Sequence, residues 1–324
     1  MTQWMLATWR TIGITLIIAA LAAGSEESWS PKPIPPLQVL PMPYDQAAFV
    51  RDGVEIARYH FGAGLGRPFL YPIMGPAGRS LTRMGHPWDP ESHSHHNSVW
   101  ISHHDVEGVS FWNDRDAGRI VHKRIVRYED GGRASKIVAE NDWEAPDGRT
   151  LLRETRHVAV VLQEERQWLL LIDLELRAAD KAVTLGKTPF GMIGVRMAKT
   201  IGVHDGNGRI RNSTGGINEA EVLWKPARWV DYSGAIADQT VEGVTLLDHP
   251  DNPNHPSVFH VRNDGWMGAC LTFDGPLAIE PDKPLRLRYG LWVHAGMPTA
   301  DRIDRIWEQF ATLDTEVLER RSNR

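Results

Sequence analysis

Along most of this chain apolar residues recur at every second position. Val54 and Ile56 alternate with Glu55 and Ala57, and Ile120, His122, Arg124, Val126 and Tyr128 alternate with Val121, Lys123, Ile125 and Arg127. Such a period turns one face of an extended segment toward a core. The clearest case is Leu285, Leu287, Tyr289, Leu291 and Val293, interleaved with Arg286, Arg288, Gly290, Trp292 and His294. Two long apolar runs, 150–163 and 167–178, flank Glu164, Glu165 and Arg166, which predicts a hairpin of two long antiparallel strands. Further strands are predicted at 137–143, 228–233, 241–248, 258–262 and 266–273. No strand is followed by an amphipathic helix of about 10–15 residues, which argues against a doubly wound parallel sheet. One helix is predicted at the end, where Ile303, Ile306, Trp307, Phe310 and Leu313 recur at spacings of three and four after Pro298 and Thr299. No repeat of 20–50 residues recurs along the chain, so neither a propeller nor a solenoid is supported. The expected fold is all-β, one large antiparallel sandwich (46–298) closed by a C-terminal amphipathic helix and tail (299–324). Two smaller sandwiches divided in the Gly-rich turns between Lys199 and Gly216 are the alternative.

The N-terminus departs from this pattern. Residues 1–24 carry one charge, Arg10, followed by an apolar run from Ile12 to Ala23 that ends in small residues. That run is about half of the roughly 20 residues a bilayer span requires. It reads as a cleavable secretory signal, with a retained anchor as the alternative. Secretion or a periplasmic location follows, with no stable membrane span after cleavage. Residues 25–45 hold Pro31, Pro33, Pro35, Pro36, Pro41 and Pro43 and are predicted to be an extended, poorly packed linker.

Composition narrows the function. The 324 residues carry 36 Lys and Arg against 41 Asp and Glu, a net charge of -5 that offers no polycationic footprint for nucleic acid. Cys270 is the lone cysteine, so no disulfide forms within a monomer, and its apolar surroundings predict a buried, inert thiol. Thirteen Trp outnumber eight Phe and six Tyr. Indoles stack on sugars but also fill thick β cores, so this bias points toward carbohydrate without establishing it.

Candidate chemistry concentrates in GHPWDPESHSHHNSVWISHHDVEGVSFWND, residues 85–114, which contains His86, His93, His95, His96, His103 and His104, six of the chain's 14 histidines. On an extended backbone His93 and His95 share one side and His96 takes the other. A His-x-His pair with a third imidazole can hold a divalent metal carrying an activated water, and His93, His95 and His103 are the candidates. Without metal, His95, His96 and His103 can act as acid and base on a sugar, His95 or His96 carrying the proton. Trp112, in the same block, is a candidate saccharide contact. A second block, LDHPDNPNHPSVFHVR at 247–262, presents His249, Asn252, His255 and His260 on a Pro-stiffened excursion. From it His249, Asn252 and His260 are assigned to substrate binding. Arg83 and Arg196 interrupt apolar segments and need carboxylate partners, from the protein or from a substrate. The aromatics of 224–232 are assigned to the core. Asp89, Glu91, Asp105, Glu154, Asp173 and Glu175 are available as a glycosidase pair, but spacing alone selects none. Phosphate-binding, dinucleotide-binding, nucleophile-elbow and H-E-x-x-H motifs are absent from the sequence.

The blocks RPFLYPIMGPAGRSLTR, HSHHNSVWISHHDVEGVSFW, WKPARWVDYSG and DHPDNPNHPSVFHVR, in this order, resemble a bacterial family of exported proteins labelled PmoA-like, or methane oxygenase. The resemblance covers roughly Arg51 to Met297. The family's central block usually runs Asp-His-Pro-His-His-Arg-Gly. His93, His95, His96 and the later His103 match it, while Ser92 stands for the Asp, Ser94 for the Pro and Asn97-Ser98 for Arg-Gly. The resemblance implies a galactose mutarotase-like β-supersandwich and a place in sugar breakdown. Methane oxidation does not follow, because membrane methane oxygenases are built from many helices and this chain has no second stretch able to span a bilayer. Three functions are therefore carried forward. The leading one is an exported carbohydrate lyase, hydrolase or epimerase with a His-rich cleft and no certain cofactor. The others are a divalent-metal enzyme at the same histidines and a non-catalytic carbohydrate-binding protein of the envelope.

Overall fold

The alternating segments pair into two large antiparallel sheets. A computed structural model describes residues 1, 33–85 and 93–314. The predicted signal and the first part of the predicted linker lie outside the described residues, as do 86–92 and 315–324. The first sheet runs in space through Leu37–Met42, Gln46–Arg51, Val54–His60, Phe69–Ile73, Val99–His103, Gly191–Arg196, Trp266–Cys270, Val258–Arg262 and Lys225–Pro226. The second runs through Arg209–Asn212, Trp229–Ala237, Thr240–Asp248, Leu285–Ala295, Trp168–Ala178, Thr150–Leu162, Ala134–Glu144 and Arg119–Glu129. The predicted long hairpin forms with Leu162 opposite Trp168 and Leu152 opposite Ala178.

The sheets share one core. Phe49, Tyr59, Ile101 and Ile193 from the first pack with Ile137, Val158, Ile172 and Leu246 from the second. The fold is thus an all-β antiparallel sandwich with a short C-terminal helix, and the compact unit starts at Pro35. The stretch 199–216 does not divide two sandwiches. It holds two short helical turns and the strand Arg209–Asn212, which joins the second sheet through Trp229–Ala237.

The linker expectation reaches too far along the chain. Leu37–Met42 is a strand, with Leu37 and Val39 buried. Its one proline, Pro41, is tolerated because the strand is the edge of the sheet: on the side away from Gln46–Arg51 only Leu37 and Val39 are bonded, to Gly131 and Asp130, so a missing N–H farther along breaks no ladder.

Trp168–Ala178 is buried on both faces, which explains why its apolar run is continuous rather than alternating. Leu170, Ile172 and Leu174 face the shared core, while Leu169 and Leu171 face a second cluster with Trp229, Trp292, Ile303 and Phe310. That cluster is made by the helix Ala300–Thr312, which is capped by Thr299 and lies on the second sheet's outer face. Gly290 permits the contact, since a Cβ there would sit 2.9 Å from the Phe310 ring. No helix among the described residues is long and apolar enough to cross a membrane.

Candidate functional site

Among the described residues no such helix lies over the first sheet's outer face, and two of its glycines open a floor there. One ladder row runs Phe69, Trp100, Gly194, Gly268, His260 across five strands. The next row, Ile101, Ile193, Ala269 and Phe259, belongs to the core. Strand alternation therefore turns Trp100 and His260 away from the core. A Cβ at Gly194 would lie 2.7 Å from both the Trp100 and Trp266 indoles, so only glycine lets the two rings settle over the sheet. They form a separate aromatic cluster with Phe69 and Trp112.

The His-rich block closes over this floor. Residues 93–96 are a turn, not an extended segment, with the His96 N–H donating to the His93 carbonyl at 3.0 Å. All three imidazoles consequently reach the same space, against the expectation that His96 would face the other way. His96 stacks on His93 (4.4 Å, 10°) and on Trp266 (4.8 Å, 22°), and His95 meets it edge-on at 4.6 Å. The block is held from behind by Arg67, a buried side chain that sequence reasoning missed. Its guanidinium donates to the carbonyls of His95 (2.9 Å), Trp112 (2.8 Å) and Asn113 (3.0 Å) and to Asn97 Oδ1 (2.8 Å). Five fixed donors suit a loop that would otherwise leave buried carbonyls unpaired.

Floor and turn enclose a cavity of about 620 Å³, within the range of about 300–1,000 Å³ found for small-molecule sites. Its walls include His93, His95, His96, Trp112, Phe190 and His260, together with Glu219, Arg262 and Asp264. Several polar atoms on these walls are buried without a partner: His96 Nδ1, both ring nitrogens of His260, and Trp266 Nε1. His260 is wedged between Trp224 (4.4 Å) and Phe190 (5.5 Å) and is only 6% exposed. Each such atom costs roughly 1–3 kcal/mol until something hydrogen-bonds it.

Burial also sets the charge state. Desolvation lowers the pKa of His95 and of His260 to about 4 and pushes His96 lower still, so all three are neutral at pH 7. The formal charges on the wall are matched within the protein. Asp264 accepts from Arg196 at 2.8 Å, and Arg196 also donates to His93 Nδ1 at 3.3 Å. Glu219 accepts from Arg262 at 2.6 Å and from the Asn263 N–H at 2.9 Å.

Other predicted site residues lie elsewhere. His103 is fully buried on the core side of its strand. Its Nε2 bonds Thr272 Oγ1 at 2.9 Å and its Nδ1 accepts from the Asp105 N–H at 3.1 Å, so neither nitrogen is available for catalysis or metal. The metal set His93, His95, His103 is therefore not assembled, and no three His, Cys, Asp or Glu side chains converge as ligands among the described residues. His86, Asp89 and Glu91 lie outside them. His249 and Asn252 belong to the C-terminal helix side. His249 bonds the Ala311 carbonyl at 3.2 Å, and Asn252 bridges Asp248 and Arg288, each at 2.8 Å. Their substrate-binding assignment is corrected to a structural one. Arg83 lies beside the cavity, bonded through its backbone to the Arg196 carbonyl and close enough for its charge to act on His96.

Of the carboxylates considered for glycoside cleavage, Asp173 pairs with Arg288 at 2.7 Å, and Glu154 and Glu175 are also held by arginines. Cys270 is buried, its Sγ facing the Pro189 carbonyl at 3.0 Å and its pKa pushed up by desolvation. Trp229 and Tyr232 are core, as expected from 224–232, while the Trp224 ring packs at a tilt against His260.

The structure thus defines an antiparallel sandwich with an aromatic, histidine-walled cavity on one outer face. The chain belongs to the family described as a family of unknown function (DUF6807), whose model matches residues 46–308. No curated protein matches it significantly in sequence. Solved structures similar to it include a heparinase III (12% identity, TM-score 0.35, covering 82% of this chain and 35% of that one). A polysaccharide lyase is 9% identical with a TM-score of 0.36, over 81% of this chain and 33% of that one. A 4-alpha-glucanotransferase from Thermococcus litoralis is 11% identical with a TM-score of 0.31, over 81% and 40%. The chain spans about a third of the length of the first two.

Proposed function

We propose that this chain is an exported carbohydrate-active protein and that a saccharide occupies the cavity between the 93–96 turn and the Trp266 floor. The observation that carries this reading is the set of buried, partnerless atoms on the walls, His96 Nδ1, His260 Nδ1 and Nε2, and Trp266 Nε1, around indole faces. A pyranose answers both features: its C–H face stacks on an aromatic ring while its hydroxyls donate to and accept from polar edges. Neutral imidazoles suit hydroxyl partners, since each offers one donor and one acceptor. The family resemblance read from the sequence blocks implies a place in sugar breakdown and supports the same reading.

As chemistry, His95 and His96 are the groups placed to move a proton, and a neutral imidazole can take one from a sugar hydroxyl or an acidified C–H. That fits a lyase or epimerase better than a hydrolase with two carboxylates, because both carboxylates on the wall are already engaged by arginines. The same engagement favours a second reading, a saccharide-binding protein without turnover. Glycan binding followed by product analysis decides between them. Binding with conversion, lost in His95→Ala and His96→Ala, supports the enzyme; binding without product supports the carrier; no binding to any glycan overturns both.

A further inference from the structure

The cavity's charges point to a narrower ligand class than saccharides at large. Among the described wall residues the formal anions and cations are Glu219, Arg262 and Asp264. Glu219 and Arg262 neutralise each other at 2.6 Å, and Asp264 is matched by the buried Arg196 at 2.8 Å. Neither pair can turn to a ligand without leaving a charge uncompensated, and for Arg196, 1% exposed, that charge would be buried. On the residues that line the cavity the partnerless atoms, by contrast, all belong to imidazole and indole rings, groups that recognise hydroxyls. Resting on the saccharide reading above, we propose that the cavity selects uncharged sugars, and that the Glu219–Arg262 pair rejects uronic acids by withholding the one cation on the wall that could bind their carboxylate.

A uronide differs from its parent glycoside only at C6, where a carboxylate replaces a hydroxymethyl group. Bringing that carboxylate into the cavity would leave it near Glu219 and Asp264 with no free guanidinium, so repulsion and desolvation both oppose binding. Removing the Glu219 charge while keeping an acceptor for the Asn263 N–H would release Arg262, whose side chain is 47% exposed and can reorient. A freed arginine fork is well matched to a carboxylate.

The experiment compares matched pairs at pH 7.5, above the ordinary histidine range: methyl glucoside against methyl glucuronide, and methyl galactoside against methyl galacturonide. Binding to the full chain is read by saturation-transfer NMR and calorimetry, for the wild type and for Glu219→Gln. The expected result is wild-type binding of at least one neutral member with its uronide at least tenfold weaker, and a gap narrowed at least fivefold in Glu219→Gln. A wild type that binds a uronide as tightly as its parent overturns the charge selection and leaves the saccharide reading standing. A gap that is unchanged in folded Glu219→Gln overturns the role of the pair. Failure of every neutral and anionic member to bind overturns the saccharide reading and this inference together.

Discussion

The two outer faces of the sandwich handle buried polar groups in opposite ways. On the second sheet, under the C-terminal helix, Arg288 is matched by Asp173, Asn252 is bonded by Asp248 and Arg288, and His249 has both ring nitrogens occupied, by Asp251 and Ala311. Some atoms there also lack partners, among them His294 Nδ1, Arg211 Nε and Trp292 Nε1. They lie on residues otherwise held by Asp231 or covered by Arg302, and none of them lines the cavity. On the first sheet the partnerless atoms of His96, His260 and Trp266 share one cavity. A face that serves only folding satisfies its polar groups, whereas a face that serves a ligand leaves them ready at a cost in stability.

The largest expected effect is that of pH on the histidine-bearing face. Unfolded imidazoles take a proton near pH 6.5, but folded His95 and His260 on this face do so only at about 4, as does His103 on the core side of the same sheet. The stability they permit is complete above pH 6.5 and falls as the pH drops from there toward 4, by on the order of several kcal/mol in sum. Chemical denaturation between pH 7.5 and 4 should show that slope; a flat profile would mean these rings are not buried neutral. Next comes the helix-covered face. Arg288→Ala strands Asp173 in the interior and should cost about 3–5 kcal/mol, with sugar affinity per folded molecule unchanged. If affinity falls in step with stability, the two faces are coupled and the comparison fails.

Gly194→Ala is expected to be intermediate in stability, with a loss of about 1–3 kcal/mol from overpacking, and severe in function, because the displaced indoles are the cavity floor. Calorimetric titration with a bound glycoside checks the second half. The smallest effect on folding is also the most discriminating. In His260→Phe an apolar ring replaces one with two partnerless nitrogens, so stability should stay level or rise by up to about 1 kcal/mol while binding drops more than tenfold. Destabilisation with intact binding would place His260 among ordinary core histidines.

Much of the fold could be read in the alternation, since period two is a local consequence of burying one strand face. The hairpin 150–178 and the C-terminal helix were legible in this way. The edge strand Leu37–Met42 was not, because prolines report a missing donor and not whether that donor would have faced a partner. The histidine block was legible as a site, yet His103 was grouped with the wrong neighbours. Parity along Val99–His103 carried the signal: a Trp100 on the open face sends His103, three residues on, into the core. His249, Asn252 and His260 stand close in sequence but part company where the chain crosses from one sheet to the other. Arg67, Glu219 and Asp264 gave no local sign at all. They come to the site only through strand order, which depends on pairings between residues 70 to 96 positions apart.

One measurement tests the central claim most directly: a crystal structure of the chain soaked with whichever neutral methyl glycoside binds best. The account predicts a sugar ring lying over the Trp266 floor, with hydroxyl oxygens within hydrogen-bond distance of His260 and of His96 Nδ1. A sugar bound elsewhere on the sandwich, with those nitrogens bonded instead to protein groups, would contradict it.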